Sequence, residues 1–454
     1  MNAIILSIGD ELLFGQSLDT NSQWLATQLA AAGCGVLAHL TIGDDRAAIV
    51  DAILQAARHP HCDILLITGG LGPTDDDLTR QALAQALGVD LELNEPCLRQ
   101  IERFFERLGR PMPERNRIQA MIPRGARPLE NPHGTAAGIH ALIQRASSEP
   151  GQDRPMLVFA MPGVPREMMP MFNEFVAPLV RSRAGGAAIL QTALHTFGLG
   201  ESVLADKLGE LMDRRRNPLV GTTASNNIVS VRIISRGESE AMARQNLEAT
   251  VAACRERLGS LIFGRDQETL AEAVARLLKG QMPGQDEGPT LAARTVATAE
   301  SCTGGLLAKY LTDIPGSSAY FQQGFVVYSN RAKYERLGVS EQIIGTYGAV
   351  SEPVVLAMAR NARRLARAEF ALSISGVAGP DGGTPAKPVG TVCIGLAHLP
   401  SKEAGRRSGE SEDDVYAVAR TFHFAGDRAT IRDRAAKTAL AMLRFRLLNE
   451  PLPF

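Results

Sequence analysis

Short apolar runs alternate with amphipathic segments in the first seventy or so residues of the chain. The strand-like runs are Ile4–Ile8, Val36–Leu40 and Asp63–Ile67. Between them, Asn21–Ala32 and Arg46–Arg58 repeat apolar residues at helical spacing. Strands that are almost continuously apolar are typical of parallel sheets covered by helices on both faces. We therefore predict an α/β domain whose ligand site lies beyond the carboxyl ends of its strands.

The alternation stops in the middle of the chain and then returns, which predicts three domains. The 454 residues exceed the ~150 of a typical single domain. We predict a first α/β domain over residues 1–178, a small α+β domain over 179–265 and a second α/β domain over 266–454. Within the third domain, the Gly- and Pro-rich stretch Gly280–Pro289 is predicted to be an exposed loop.

Composition excludes several classes of protein. The net charge of -1 gives no overall field for a nucleic acid or a membrane surface, and we interpret Arg214–Arg216 as a solvated helix end. The six cysteines form no CxxC or Cys/His cluster that would indicate structural zinc. The amino terminus is predicted to be a strand, not a signal peptide. We expect a cytoplasmic homodimer with reduced thiols and no nucleic-acid or membrane partner.

Two acidic, glycine-bearing loops follow predicted strands of the first domain. Glycines allow backbone N–H groups to approach a ligand closely, and neighbouring carboxylates can hold a divalent cation that bridges phosphates. A tight turn followed by an acidic helix start would give the same pattern. We predict a phosphate or pyrophosphate site with a divalent cation of unknown identity. Its predicted residues are Gly69, Gly70, Gly72 and Asp10, with Asp75, Asp76 and Asp77 as metal ligands.

Two glycine-rich turns in the third domain suggest a nucleotide-sized ligand. Backbone N–H groups at a helix start can bind a phosphate, and hydroxyl groups can add contacts, although each turn alone could be an ordinary one. The predicted substrate-binding residues are Ser301, Thr303, Gly304, Gly305, Gly379, Gly382 and Gly383.

A candidate nucleophile, Ser318, lies between these turns. A catalytic serine needs a base, and no histidine motif lies near it in the sequence. A lysine can serve if burial keeps it neutral, which makes Lys333 a candidate base and Tyr328 a candidate proton relay. Their spacing alone does not distinguish a catalytic set from unrelated residues.

Several motifs of the chain resemble a known family. Ile8–Gly15, Thr68–Asp77, Asn131–Gly138 and Met161–Met168 are similar to the MoaB/MogA-like molybdopterin-binding domain of CinA, the competence/damage-inducible protein. Ala137 departs from that pattern, where members usually have proline. The third domain resembles the CinA C-terminal domain through Thr298–Gly305, Gly316–Ser318, Tyr328–Lys333, Gly348–Glu352 and Ser375–Gly383.

The resemblance implies a bifunctional enzyme of pyridine-nucleotide recycling. The C-terminal domain is expected to deamidate nicotinamide mononucleotide without a cofactor, using Ser318, Lys333 and Tyr328. The N-terminal domain is expected to hydrolyse ADP-ribose with a divalent cation. Two alternatives stay open: the N-terminal domain only binds a pterin or nucleotide, or the protein is an interaction factor in competence or the DNA-damage response.

Overall fold

The computed structural model describes residues 1–145, 154–281, 292–399 and 416–453. It divides into two compact units, Met1–Gln191 with Ile234–Glu248 and Thr192–Ile233 with Ala249–Phe454. Most of the predicted loop Gly280–Pro289 lies outside the described residues. Among the described helices, none is both long and apolar enough to span a membrane.

The first unit alternates strands and helices as the sequence predicts. Its strands are β1 (Asn2–Ile8), β2 (Gly35–Ile42), β3 (Ile64–Thr68), β4 (Leu91–Leu93), β5 (Met121–Pro123), β6 (Arg127–Leu129), β7 (Gly138–Ile143) and β8 (Met156–Met161). Its helices are α1 (Asp10–Leu13), α2 (Thr20–Ala31), α3 (Arg46–Arg58), α4 (Thr79–Leu87), α5 (Glu95–Arg107), α6 (Pro165–Met171) and α7 (Ala177–Ala184).

A six-stranded sheet in the order β2-β1-β3-β8-β7-β6 forms the centre of this unit. Strands β2, β1, β3 and β8 are parallel to one another. Strand β7 pairs antiparallel with β8, and β6 pairs antiparallel with β7. Alternate residues of β1 point to opposite faces of the sheet and pack in two different hydrophobic cores. Ile4 and Leu6 pack with α3 and α4, while Ala3 and Ile5 pack with α2 and α7. Full burial of each such Ile or Leu stabilises the fold by about 1.5–3 kcal/mol. The predicted two-sided α/β domain is confirmed.

The second unit combines a small sheet with a larger one. Its strands are β9 (Ala188–Phe197), β10 (Leu219–Ser225), β11 (Ile228–Gly237), β12 (Ile262–Arg265), β13 (Val296–Glu300), β14 (Phe321–Val326), β15 (Phe370–Gly376), β16 (Thr391–His398) and β17 (Tyr416–His423). Its helices are α8 (Glu201–Leu208), α9 (Glu240–Leu258), α10 (Leu270–Leu278), α11 (Leu306–Thr312), α12 (Asn330–Leu337), α13 (Glu341–Tyr347), α14 (Glu352–Ala366) and α15 (Arg428–Leu447). The division between the units passes through β9, β11 and α9.

The larger sheet has the order β14-β13-β15-β16-β17, and the smaller one has the order β10-β11-β9-β12. In the larger sheet β13 lies between β14 and β15 and is parallel to both. Strands β16 and β17 continue it in antiparallel pairing. The carboxyl ends of β13, β14 and β15 therefore lie at one edge of the sheet, which is where parallel sheets place their ligand sites.

Helix α15 connects the predicted middle segment to the second α/β fold. The buried Arg444 donates to the carbonyl oxygens of Ser260 (2.5 Å) and Ile262 (2.7 Å), and burial lowers its pKa to about 10. Phe197 and Phe263 belong to the same apolar core as α15. Phe197 and Phe263, from the segment predicted as a separate α+β domain, thus pack into the core of the C-terminal fold.

Candidate active site

The N-terminal loops meet at one edge of the first sheet. Ser7 pairs with Thr68 and Thr68 pairs with Met161, so that β1, β3 and β8 end side by side. Gly69 has φ +105°, and a Cβ there would lie 2.2 Å from the Ile8 carbonyl oxygen, so the loop requires glycine. The predicted residues Asp10 and Gly69 therefore lie in loops at the same edge.

Part of the hydrogen-bonding capacity of the glycine loop is used within the fold. The Gly69 N–H donates to the Met161 carbonyl (3.1 Å) and the Gly72 N–H to Asp77 (2.7 Å). The buried Arg80 stabilises the loop by donating to the Leu71 carbonyl (2.7 Å). Of the three predicted glycines, Gly70 alone has an N–H without a hydrogen-bond partner among the described residues.

The predicted aspartates do not act as one group. Asp77 accepts hydrogen bonds from the Gly72 N–H and from the Thr74 N–H (2.9 Å) and hydroxyl (2.5 Å), so its carboxylate stabilises its own loop. Asp75 and Asp76 are exposed. In the parts of the chain that the structure describes, no group of three or more His, Cys, Asp or Glu side chains is arranged to hold a metal ion. The described residues thus contain no preformed three-ligand site at Asp75, Asp76 and Asp77. Metal binding by these residues stays a prediction.

A different pair of carboxylates is close together at this edge. The Asp10 N–H donates to Asp44 (2.9 Å), and the Asp44 N–H donates to Asp10 (3.2 Å). The pKa of Asp44 is raised by burial first and then by the negative charges of Asp10, Glu11 and Asp76. Asp44 was missed by sequence reasoning, although it follows β2 at the same edge of the sheet.

The C-terminal candidate site begins where β13 ends. The Ser301 N–H donates to the Ile374 carbonyl of β15 (2.9 Å), and the Val327 N–H donates to the Glu300 carbonyl (2.8 Å). These bonds hold the turn after β13 between its two neighbours. Gly304 and Gly305 then adopt positive φ values of 58° and 95°, which lets the chain turn sharply into α11.

Lys333 brings a buried amine to this turn. It lies on α12, where Ser329 caps the helix by accepting from the Ala332 N–H (3.0 Å). The Lys333 side chain is 1% exposed, and its Nζ lies 3.0 Å from Ser301 Oγ and 3.2 Å from the Tyr328 carbonyl oxygen. Burial lowers the pKa of Lys333. The lysine is therefore biased towards the neutral form that can accept a proton from Ser301.

The structure corrects the predicted pairing of Lys333 with Ser318. Ser318 lies in a 3₁₀ turn, Ser317–Ala319, just before β14, whereas Lys333 reaches the far end of that strand. The six residues of β14 separate the two positions by roughly 17–20 Å along the strand. Ser318 is exposed, while the serine that contacts Lys333 is Ser301, which we had predicted as a substrate contact.

The helix start that was predicted to bind phosphate is already occupied by a side chain. Glu300 is fully buried and accepts from the N–H groups of Gly305 (3.0 Å), Leu307 (3.0 Å) and Ala308 (2.8 Å). A negative charge at a helix N-terminus is stabilised by the unpaired N–H groups there. The prediction that the Gly305 N–H binds a phosphate is therefore wrong, because this N–H donates to Glu300.

Other groups remain available next to Ser301. The N–H groups of Cys302 and Thr303 have no hydrogen-bond partner among the described residues. The Thr303 hydroxyl is buried and also lacks a partner there. The exposed Gly304 donates its N–H to the Ser301 carbonyl (3.0 Å). Donors of this kind beside a nucleophile are suited to binding an oxyanion.

Arg428, at the start of α15, connects the remaining predicted residues. Its guanidinium donates to the Tyr328 hydroxyl (3.0 Å) and to the Gly379 carbonyl (2.7 Å). The loop that carries Gly379, Gly382 and Gly383 follows β15 at the same sheet edge, and Gly382 and Gly383 are exposed. Tyr328 is 57% exposed, so its ring can face a ligand while its carbonyl contacts Lys333.

The thiol of Cys302, next to Ser301, is not suited to act as a nucleophile. Burial raises the pKa of its thiol to about 12, so the thiol stays protonated near neutral pH. A thiol is nucleophilic as the thiolate, and a buried thiol far from its pKa is inert.

Comparison with known families assigns each part of this architecture. Residues 4–182 match the family described as "Probable molybdopterin binding domain", residues 191–264 match "Damage-inducible protein CinA KH domain", and residues 290–447 match "CinA C-terminal domain". The chain is thus a three-part α/β protein with a molybdopterin-binding-type domain at one end. The KH assignment of the middle segment was not predicted from the sequence.

Full-length relatives identify the family. A CinA-like protein of Geobacter metallireducens is 42% identical over 450 residues, covering 99% of this chain and 100% of the relative. A CinA-like protein of Geobacter sulfurreducens has the same identity and coverage. The solved competence/damage inducible protein CihA from Agrobacterium tumefaciens is 34% identical, with a TM-score of 0.32, and covers 40% of this chain and 97% of its own. The chain belongs to the CinA family.

Proposed function

We propose that the C-terminal fold is an amidase that converts nicotinamide mononucleotide to nicotinic acid mononucleotide and ammonia, with Ser301 as the nucleophile. The observation that carries this proposal is the 3.0 Å contact between Lys333 Nζ and Ser301 Oγ in a buried setting. A serine hydroxyl next to a desolvated lysine is a known form of activated nucleophile.

The reaction follows from these two side chains. Lys333 Nζ takes the Ser301 proton as Oγ bonds to the carboxamide carbon. The negative charge moves to the carbonyl oxygen, where the N–H groups of Cys302 and Thr303 can stabilise it; such a donor is often worth about 3–4 kcal/mol. The C–N bond then breaks, and Lys333 returns its proton to the leaving nitrogen to release ammonia. Water attacks the resulting ester, Lys333 accepts its proton, and Ser301 is regenerated.

The surroundings suit a nucleotide that carries a cationic ring. The exposed face of Tyr328 can stack on a pyridinium ring, since aromatic rings attract cations through their faces. Arg428 is an exposed cation at the start of α15 and can bind the phosphate. No step of this reaction uses a metal ion.

The test is to incubate the purified chain with nicotinamide mononucleotide, with and without a chelator, and to measure ammonia and nucleotide products. We expect equimolar ammonia and nicotinic acid mononucleotide at a rate that the chelator leaves unchanged. Absence of both products across micromolar to millimolar substrate would refute the proposal.

We also propose that the N-terminal fold hydrolyses ADP-ribose with a divalent cation. The observation that favours it is the set of carboxylates at Asp44: burial first, and then the negative charges of Asp10, Glu11 and Asp76, raise the pKa of Asp44. Mg²⁺ is commonly held by one or two carboxylates together with substrate phosphates, so a complete protein site is not required. Asp10 and Asp44 are the carboxylates best placed for this role.

Two measurements separate this proposal from simple binding. ADP-ribose and Mg²⁺ should yield AMP and ribose 5-phosphate, and the reaction should stop with a chelator or in Asp44→Asn. Calorimetric binding of a pterin or nucleotide without any product would instead assign the domain a binding role.

A further inference from the structure

A cavity in the second unit has a volume of about 450 Å³, and Ser301 is not among its lining residues. Its walls come from the turn between β9 and α8, the turn between β10 and β11, and the end of β17 with the first part of α15. The volume falls within the ~300–1,000 Å³ that is usual for small-molecule sites. We call it the Phe424–Arg434 pocket, after the two side chains that define its chemistry.

One wall of the Phe424–Arg434 pocket is aromatic. The Phe422 and Phe424 rings are parallel within 7°, with centroids 5.7 Å apart. Both rings line the pocket and pack against the core from a half-buried position, together with Ile228. An outer ring face of this stacked pair is suited to a planar ring of a ligand.

Arg434 supplies the positive charge of the pocket. Its Nη1 donates to the Ala425 carbonyl (2.9 Å), which fixes the guanidinium beside Phe424. Its Nε is buried and has no hydrogen-bond partner among the described residues. This buried Nε cannot reach a ligand, whereas Nη2 is not buried and has no hydrogen-bond partner among the described residues, so an anionic ligand group in the pocket can accept from Nη2.

The pocket lining also includes one carboxylate, that of Glu201. Glu201 begins α8 and accepts from the Thr222 hydroxyl (2.7 Å). The adjoining turn between β10 and β11 is formed by Asn226 and Asn227, both with positive φ, which is the geometry of a tight hairpin turn. A ligand with an N–H donor can therefore bind Glu201 while its anionic end binds Arg434.

From these walls we propose that the Phe424–Arg434 pocket binds a nucleoside monophosphate whose base carries an amino group. The phosphate lies at Arg434, the base stacks against the Phe422 and Phe424 wall, and the amino group donates to Glu201. This site shares no residue with the Ser301 site and does not depend on the deamidase proposal.

The test is isothermal titration calorimetry of the full chain with AMP as the probe. The wild-type protein should bind AMP, and Arg434→Gln should weaken binding by at least about tenfold because it removes the charged donor. Ser225 is exposed, ends β10 and lines the pocket, so Ser225→Trp should weaken AMP binding as much by filling the pocket. This variant leaves the contact between Arg434 and Ala425 in place. Arg255→Gln, at an exposed position of α9, is the matched control and should bind like the wild type.

Hydrogen exchange of the wild-type chain locates the bound probe. AMP should slow the exchange of backbone amides in residues 198–201 and 226–228. An unchanged affinity in both Arg434→Gln and Ser225→Trp would overturn the proposal, as would protection that excludes these residues. Because Ser225 is exposed, the second variant keeps the test valid if Arg434→Gln fails to fold.

Discussion

Replacement of Ser301 by alanine distinguishes the assigned nucleophile from the one predicted from the sequence. The variant removes the hydroxyl that contacts Lys333 Nζ, so kcat should fall by about 10⁴-fold or more, as in other enzymes that lose a nucleophilic serine. It also leaves the buried Lys333 amine with the Tyr328 carbonyl alone, 3.2 Å away. The loss of one hydrogen bond to a buried group should cost about 1–3 kcal/mol of unfolding free energy.

Ser318→Ala is the matched control. Ser318 is exposed, and surface substitutions of this kind usually change stability by less than about 0.5 kcal/mol. We expect wild-type ammonia release and an unchanged urea midpoint for this variant, against lost activity and a lowered midpoint for Ser301→Ala. Full ammonia release by Ser301→Ala, or its loss in Ser318→Ala, would refute the assignment.

Four further outcomes follow from contacts in the structure. Because burial lowers the pKa of Lys333 below its ordinary 10.5, kcat/KM should rise with pH and level off at a pH below 10.5. Lys333→Met should be inactive. The unfolding free energy of the wild type should rise with pH between the folded-state and the unfolded-state pKa of Lys333, and Lys333→Met should lack this rise. Arg428→Gln should raise KM for nicotinamide mononucleotide more than it lowers kcat in steady-state assays. The arginine is proposed to bind the substrate phosphate, and it also holds Tyr328, which is proposed to stack on the pyridinium ring. Arg444→Met should lower the unfolding free energy by about 2–5 kcal/mol in urea titrations, because two carbonyl groups lose charge-assisted bonds.

The fold was largely predictable because its signals are local. The apolar runs that became β1 and β3 are buried along nearly their whole length, so composition alone marks them as inner strands. Strand β17 lies at the sheet edge and has a mixed burial pattern, which leaves no continuous apolar run to detect. The antiparallel β6 has only three residues, too few to show a period.

The active-site pair was only partly predictable because it depends on strand register. Ser301 and Lys333 are 32 residues apart and meet because Glu300 pairs with Val326 across the sheet. One general rule was available: ligands bind at the carboxyl ends of parallel strands. Ser318 precedes β14, and this rule would have excluded it, whereas Ser301 follows β13.

Acidic side chains show why composition alone does not assign ligands. Asp77 lies in a glycine-rich turn and Glu300 ends the strand before another one, and both carboxylates accept nearby backbone N–H groups. A sequence pattern cannot separate such a carboxylate from one that is free to bind a cation. Only the hydrogen-bond partners in the folded chain distinguish the two.

The central claim is that Ser301 forms a covalent bond to the substrate. The most direct measurement is a single-turnover reaction of the full chain with nicotinamide mononucleotide, quenched rapidly and digested for peptide mass spectrometry. We expect a transient added mass, equal to the substrate less ammonia, on the peptide that contains Ser301. The same added mass on the peptide that contains Ser318 would contradict it.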